Sequence, residues 1–119
     1  MLINTPCLIA NPCDDEYDDM ALLCCHGEDG DLFSLSRFPD ENEIEISLGD
    51  DKTLAVTHLK VTFGAERLLV ELDAADAARL GGDTLYEIRH ASDALDLREA
   101  DDTLRIILAN VGIYVSEIA

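Results

Sequence analysis

The run Glu66–Gly82 changes its period halfway along, and no other stretch constrains the fold as tightly. Up to Leu72 it alternates. Leu68, Val70 and Leu72 share one face of a strand, and Arg67, Leu69 and Glu71 share the other. At Asp73 the alternation stops. An aspartate there is suited to accept a hydrogen bond from a free backbone N–H at a helix start, and Asp76 puts negative charge in the first turn. Ala74, Ala77 and Ala78 give a smooth face, and Leu80 anchors its end. Gly81 is expected to take the left-handed conformation that stops the helix, with Gly82 continuing the loop. The run therefore predicts a strand, a short helix over Asp73–Leu80 and a glycine stop. It carries no catalytic signal.

The rest of the chain is mostly strand-like. Residues 1–12 are apolar but interrupted by Pro6 and Pro12, which suits a short edge strand because proline cannot donate to a sheet ladder. Met20–Cys25 predicts a buried strand, and Leu32–Phe38 pairs with it as a hairpin. Glu43–Leu48 alternates, with Ile44, Ile46 and Leu48 inward, and Gly49-Asp50-Asp51 follows as a turn. Thr53–Phe63 is long and β-rich, and Thr84–His90 adds a further strand with Tyr86, Ile88 and His90 on one face. Leu97, Ala100, Leu104, Ile107 and Leu108 fit helical spacing, with Asp93 or Asp96 as cap. Leu104–Leu108 also suits a strand, but the length of the apolar run favours a helix over Leu97–Ala109. Ile113-Tyr114-Val115 suits a last edge strand. The expected fold is α+β: a single antiparallel sheet of about six strands with one short and one longer helix. The 119 residues are read as one domain. Within it, residues 1–19 form an edge segment and acidic loop, 20–109 the core and 110–119 a tail.

Charge narrows the function. There are 26 acidic and 8 basic residues, a formal net charge of -18, yet 48% of residues are hydrophobic, enough for a core. Such a field repels nucleic acid and anionic membranes and attracts basic partners. Solvation alone, or adaptation to high salt, is the plainer account of the same acidity. No run approaches the length of a membrane helix, and the N-terminus lacks the basic start of a secretion signal. A cytoplasmic protein with reduced thiols is therefore expected.

Motifs for catalysis are missing. There is no phosphate loop, Gly-x-Gly-x-x-Gly, His-Glu-x-x-His or Gly-x-Ser-x-Gly. The spacing of Cys7 and Cys13 matches no common zinc pattern. His26 beside Cys25 is the one imaginable metal pair, and Cys25 with His58 or His90 the one imaginable catalytic pair. No enzyme activity, metal or cofactor is expected.

The run Leu59-Lys-Val-Thr-Phe-Gly-Ala-Glu-Arg-Leu-Leu-Val-Glu-Leu-Asp-Ala-Ala-Asp-Ala-Ala-Arg-Leu-Gly81 resembles the immunity protein 10 family of bacterial polymorphic toxin systems. Tyr86-Glu-Ile-Arg89 and the leucines at 97 and 104 continue the pattern. Phe33-Ser-Leu-Ser-Arg37 is similar to the family's early strand ending in a basic residue. Where the family has a glycine pair in its middle strand, this chain reads Thr53-Leu-Ala-Val-Thr-His58. The resemblance covers residues 20–109. It implies a protein that binds and neutralises a cognate toxin, and it carries no catalytic residues.

Acidity and resemblance together lead to one expectation: an inhibitor of a basic, nuclease-type toxin, acting as a monomer or weak homodimer. The alternative is an acidic structural or adaptor domain with no toxin partner. The candidate binding residues are Asp14, Asp15, Glu16, Asp18 and Asp19 around Tyr17, followed by the turn acids Asp40, Glu41 and Glu43.

Overall fold

In a computed structural model the chain forms two five-stranded sheets facing each other across one core, rather than a single sheet of about six strands. The structure describes residues 1–49 and 52–118, and Tyr17 by its backbone only. Asp50 and Asp51 of the expected turn lie outside the described residues. The first sheet has the order β1-β9-β8-β7-β10, built from Leu2–Asn4 (β1), Leu85–Arg89 (β9), Arg67–Leu72 (β8), Leu59–Phe63 (β7) and Ile113–Ser116 (β10). Its two outermost strands run parallel to their neighbours. The second is antiparallel, in the order β2-β3-β4-β5-β6: Ile9–Asp14, Met20–His26, Leu32–Arg37, Ile44–Leu48 and Lys52–Val56.

Two crossings split the chain between the sheets, and both follow from side-chain parity. In a single strand, buried residues keep an even spacing. Val56 and Leu59 are both buried three residues apart, so the predicted strand Thr53–Phe63 breaks at Thr57-His58. Its first part becomes β6 in one sheet and its second part β7 in the other. Residues 1–12 behave likewise. Ile3 and Thr5 are buried with one parity and Leu8 with the other. The slip falls at Pro6-Cys7, where the chain leaves β1 for β2. The Thr5 hydroxyl secures that crossing beside the Cys7 and His26 carbonyls, at 3.0 and 2.9 Å.

The inner faces supply the core. Leu23, Cys25, Phe33, Leu35, Ile44 and Ile46 from one sheet meet Val61, Phe63, Leu68, Val70, Tyr86 and Ile88 from the other. The rings of Phe33 and Tyr86 touch across the gap, with centroids 5.5 Å apart. The helices close the open sides. Ala74–Leu80 (α1) packs beside β6, capped as expected by Asp73, whose carboxylate accepts from the Asp76 N–H at 2.8 Å. Its stop differs from the expected one. Gly81 has φ -148°, and the left-handed residue is Gly82, at φ +92°. Ala94–Ile107 (α2) is a helix, settling the ambiguity at Leu104–Leu108, and Asp93 is its cap. It packs on β2 and β3 through Ala100, Thr103, Leu104 and Ile107. The Tyr114 hydroxyl donates to Asp101 at 2.6 Å and ties β10 to this helix. Among the described residues no helix is long and apolar enough to cross a membrane.

Candidate functional site

Antiparallel connectivity gathers the acids. The β2–β3 and β4–β5 connections lie at the same end of their sheet, because β3 and β4 form the hairpin between them. The acidic block Asp14–Asp19 and the turn around Asp40 and Glu41 therefore become neighbours, although twenty residues separate them in sequence.

The block is more ordered than the loop expected from its charge density. Its first residue ends β2, and Asp15–Tyr17 form a single 3-10 turn. Asp14 caps that turn by accepting from the Glu16 N–H at 3.1 Å, and its carbonyl accepts from the Asp19 N–H at 2.9 Å. Asp18 and Asp19 close it with φ of 55° and 62°, a conformation that aspartate tolerates better than most residues. The Cys13 thiol donates to Asp19 at 3.5 Å. That bond, with slight burial and the nearby carboxylates, raises the thiol's pKa and keeps it protonated at neutral pH. Cys13, Asp15 and Asp19 bring their ligand atoms within 4.8 Å of one another, all exposed. A protonated thiol among open carboxylates is a poor donor set for any one class of metal, and no metal is assigned to it.

Two adjoining concavities flank the 38–39 segment. One, of about 450 Å³, is lined by Asp18, Phe38, Pro39, Asp40 and Glu41. The other, of about 530 Å³, runs from Cys13 and Asp19 past Phe38 to Ile106 and Asn110 beyond the end of α2. Ile106 is 46% exposed there, an apolar side chain in the same concavity as Asp19. Of the sequence candidates, Asp18, Asp19, Asp40 and Glu41 line this surface, and Asp15 adjoins it through Asp19. Asp14 is spent as a cap, Glu16 is exposed beside it, and Glu43 lines neither concavity. The side chain of Tyr17 lies outside the described residues.

Arg37 holds this end together, and the sequence reading gave it no such role. Its Nε donates to the Glu41 carbonyl at 3.0 Å, and Nη1 donates to the carbonyls of Ile107, at 3.1 Å, and Ala109. A cation there satisfies the bare carbonyls at the end of α2 and opposes the negative end of its dipole. The guanidinium's hydrogen bonds thus go to backbone carbonyls rather than to the neighbouring carboxylates. Arg37→Ala is expected to cost about 2 kcal/mol, because hydrogen bonds from a charged donor are lost. Its Tm should drop by roughly 8 °C, measured by calorimetry. Arg37→Lys should recover only part of that, since one ammonium cannot reproduce the fork.

The imagined catalytic pair does not form. Burial, then the neighbouring Cys24, pushes the Cys25 thiol up to about 11, so it is protonated at neutral pH. His58 is exposed, and both ring nitrogens of His90 are occupied elsewhere. Nε2 lies 3.2 Å from the Gly64 carbonyl and Nδ1 lies 3.0 Å from the Ser92 hydroxyl. The carbonyl can only accept, which assigns the proton to Nε2 and leaves Nδ1 to accept from Ser92. Burial holds this histidine's pKa below its ordinary value, outweighing the Gly64 carbonyl and Glu66, which favour the charged ring. The unfolded chain therefore takes up the proton first as pH falls. The stabilisation is complete above the unfolded pKa of about 6.5 and is lost as pH drops from there toward the folded pKa. Melting curves from pH 7.5 to 5 should show a stability decline in the parent that His90→Gln lacks.

A scan against protein-family models, a search of curated proteins and a search of solved structures each found no match to this chain.

Proposed function

We propose that the chain is a cytoplasmic immunity protein that binds and neutralises a basic, nuclease-type toxin through its acidic end. One observation carries this reading. Asp18, Asp19, Asp40 and Glu41 surround Phe38 and Pro39 at one end of a sheet, and Arg37, the one cation among the described residues lining that surface, hydrogen-bonds backbone carbonyls. An anionic rim around a small apolar centre suits a partner whose active surface is cationic, as a phosphate-binding site must be. The rim speeds encounter and rejects anionic partners, and the apolar centre slows release. The resemblance of Leu59–Gly81 to the immunity protein 10 family points the same way, although the scan against family models matched none. No chemical step is required of this chain, because occluding the toxin's site suffices.

The test is to sequence the genes flanking this one and co-express any toxin domain they encode with this chain. Cells carrying the toxin domain alone should stop growing, and cells carrying both should grow. Arrest in both would leave the alternative, an acidic structural or adaptor domain.

A further inference from the structure

A third concavity, of about 660 Å³, lies between the β7–β8 turn, the end of β9 and the first turns of α2. Its wall carries Arg67 and Arg89, which the β8–β9 register places directly opposite each other, both exposed. Like charges at opposed positions destabilise a sheet. Glu87, in the next row on the same face, relieves part of that contact: Arg89 chiefly, and Arg67 as well, hold its carboxyl below the usual range. Two rows along, Lys60 faces Glu71. Arg89 gives its Nε to Glu87 at 2.7 Å, which leaves its terminal nitrogens free of that bond. Arg67 makes no ion pair among the described residues. Below them lies a neutral floor, His90 stacked on Phe63 and bonded to Ser92, and Leu97 supplies an apolar side.

From this arrangement we infer that the Arg67–Arg89 concavity binds a carboxylate carried on a small apolar body. A planar carboxylate fits the guanidinium fork through two parallel bonds. Glu66, on the same wall, opposes a second negative charge, and so does the net charge of -18. Both disfavour a phosphate dianion relative to a monoanion, since the repulsion grows with the ligand's charge. Leu97, Ala65 and Ala91 accommodate the aliphatic part. The carboxylate can come from a free acid or from the end of a peptide, since both present the same group. This site is separate from the acidic end and independent of the toxin reading.

The experiment is an NMR titration at constant ionic strength, following backbone and arginine Nε–Hε signals. The probes are 4-methylpentanoate, acetyl-Ala-Leu and inorganic phosphate, with chloride as the background anion. Saturable shifts centred on Arg67, Arg89 and Ser92 are expected with the carboxylates. Saturation by both probes assigns the group alone, and saturation by the peptide alone assigns a chain end. Arg67→Gln should weaken binding roughly tenfold or more, one charge-assisted pair being lost. Arg67→Lys should fall between, and Lys60→Gln, on the same sheet face, should change nothing. Phosphate binding at least as well as the carboxylates would overturn the inference. So would shifts that never saturate, or unchanged affinity in Arg67→Gln.

Discussion

Val70→Asp is expected to abolish cooperative folding. Val70 has no solvent exposure and lies opposite Val61 on one side and Tyr86 on the other, at the centre of the first sheet. Its environment is the inner faces of two sheets, with no lysine or arginine among the described buried residues to pair with a carboxylate. An unpaired buried charge costs about 4 kcal/mol or more, a large part of the 5–15 kcal/mol that a domain of this size has in total. Circular dichroism should show no sigmoidal melt. A transition like the parent's would mean that Val70 is not core. Val70→Ala, which removes volume without adding charge, should still melt cooperatively at a lower temperature.

Gly112→Ala should produce the next largest loss. Gly112 sits at φ +73°, and a Cβ there would come 2.6 Å from the Leu59 carbonyl oxygen and 3.0 Å from the Leu59 side chain. The left-handed backbone alone costs roughly 1–2 kcal/mol for a residue with a Cβ. The clash is with backbone, so β7 or β10 must move. A total of about 3 kcal/mol is expected, and a Tm lower by roughly 12 °C. Gly30 offers the control. Its φ is +88°, but nothing lies within 4 Å of its would-be Cβ. Gly30→Ala should therefore show the backbone cost alone, and equal losses at the two glycines would contradict the steric account.

Local features were legible because they rest on neighbouring residues. Alternation placed β4, β5 and β8, a short apolar run placed β3, and the period change at Asp73 placed α1 with its cap. The division into two sheets was missed although its signal was present. Val56 and Leu59 cannot share a face within one strand, and neither can Thr5 and Leu8. Parity marks where a strand must break but not where the next piece goes, since that depends on contacts distant in sequence. The same limit applies to the acidic end. Asp18, Asp19, Asp40 and Glu41 were picked out by charge. Their convergence follows from hairpin connectivity. The contribution of Ile106 and the clamp by Arg37 depend on where α2 ends, which local sequence does not specify.

Association kinetics with the cognate toxin test the central claim most directly. The variant to compare with the parent is Asp18→Asn, Asp19→Asn, Asp40→Asn, Glu41→Gln. Asparagine keeps the left-handed turn and can still accept from Cys13, so the fold is retained while charge is removed. Surface binding should be followed at low and at physiological salt. Association should be slowed about tenfold at low salt with a flatter salt dependence, and dissociation should be nearly unchanged. Phe38→Ala should do the reverse, speeding dissociation with little effect on association. Association that stays as fast and as salt-sensitive in the neutralised variant would contradict the account and reduce the acidic end to a solvated surface.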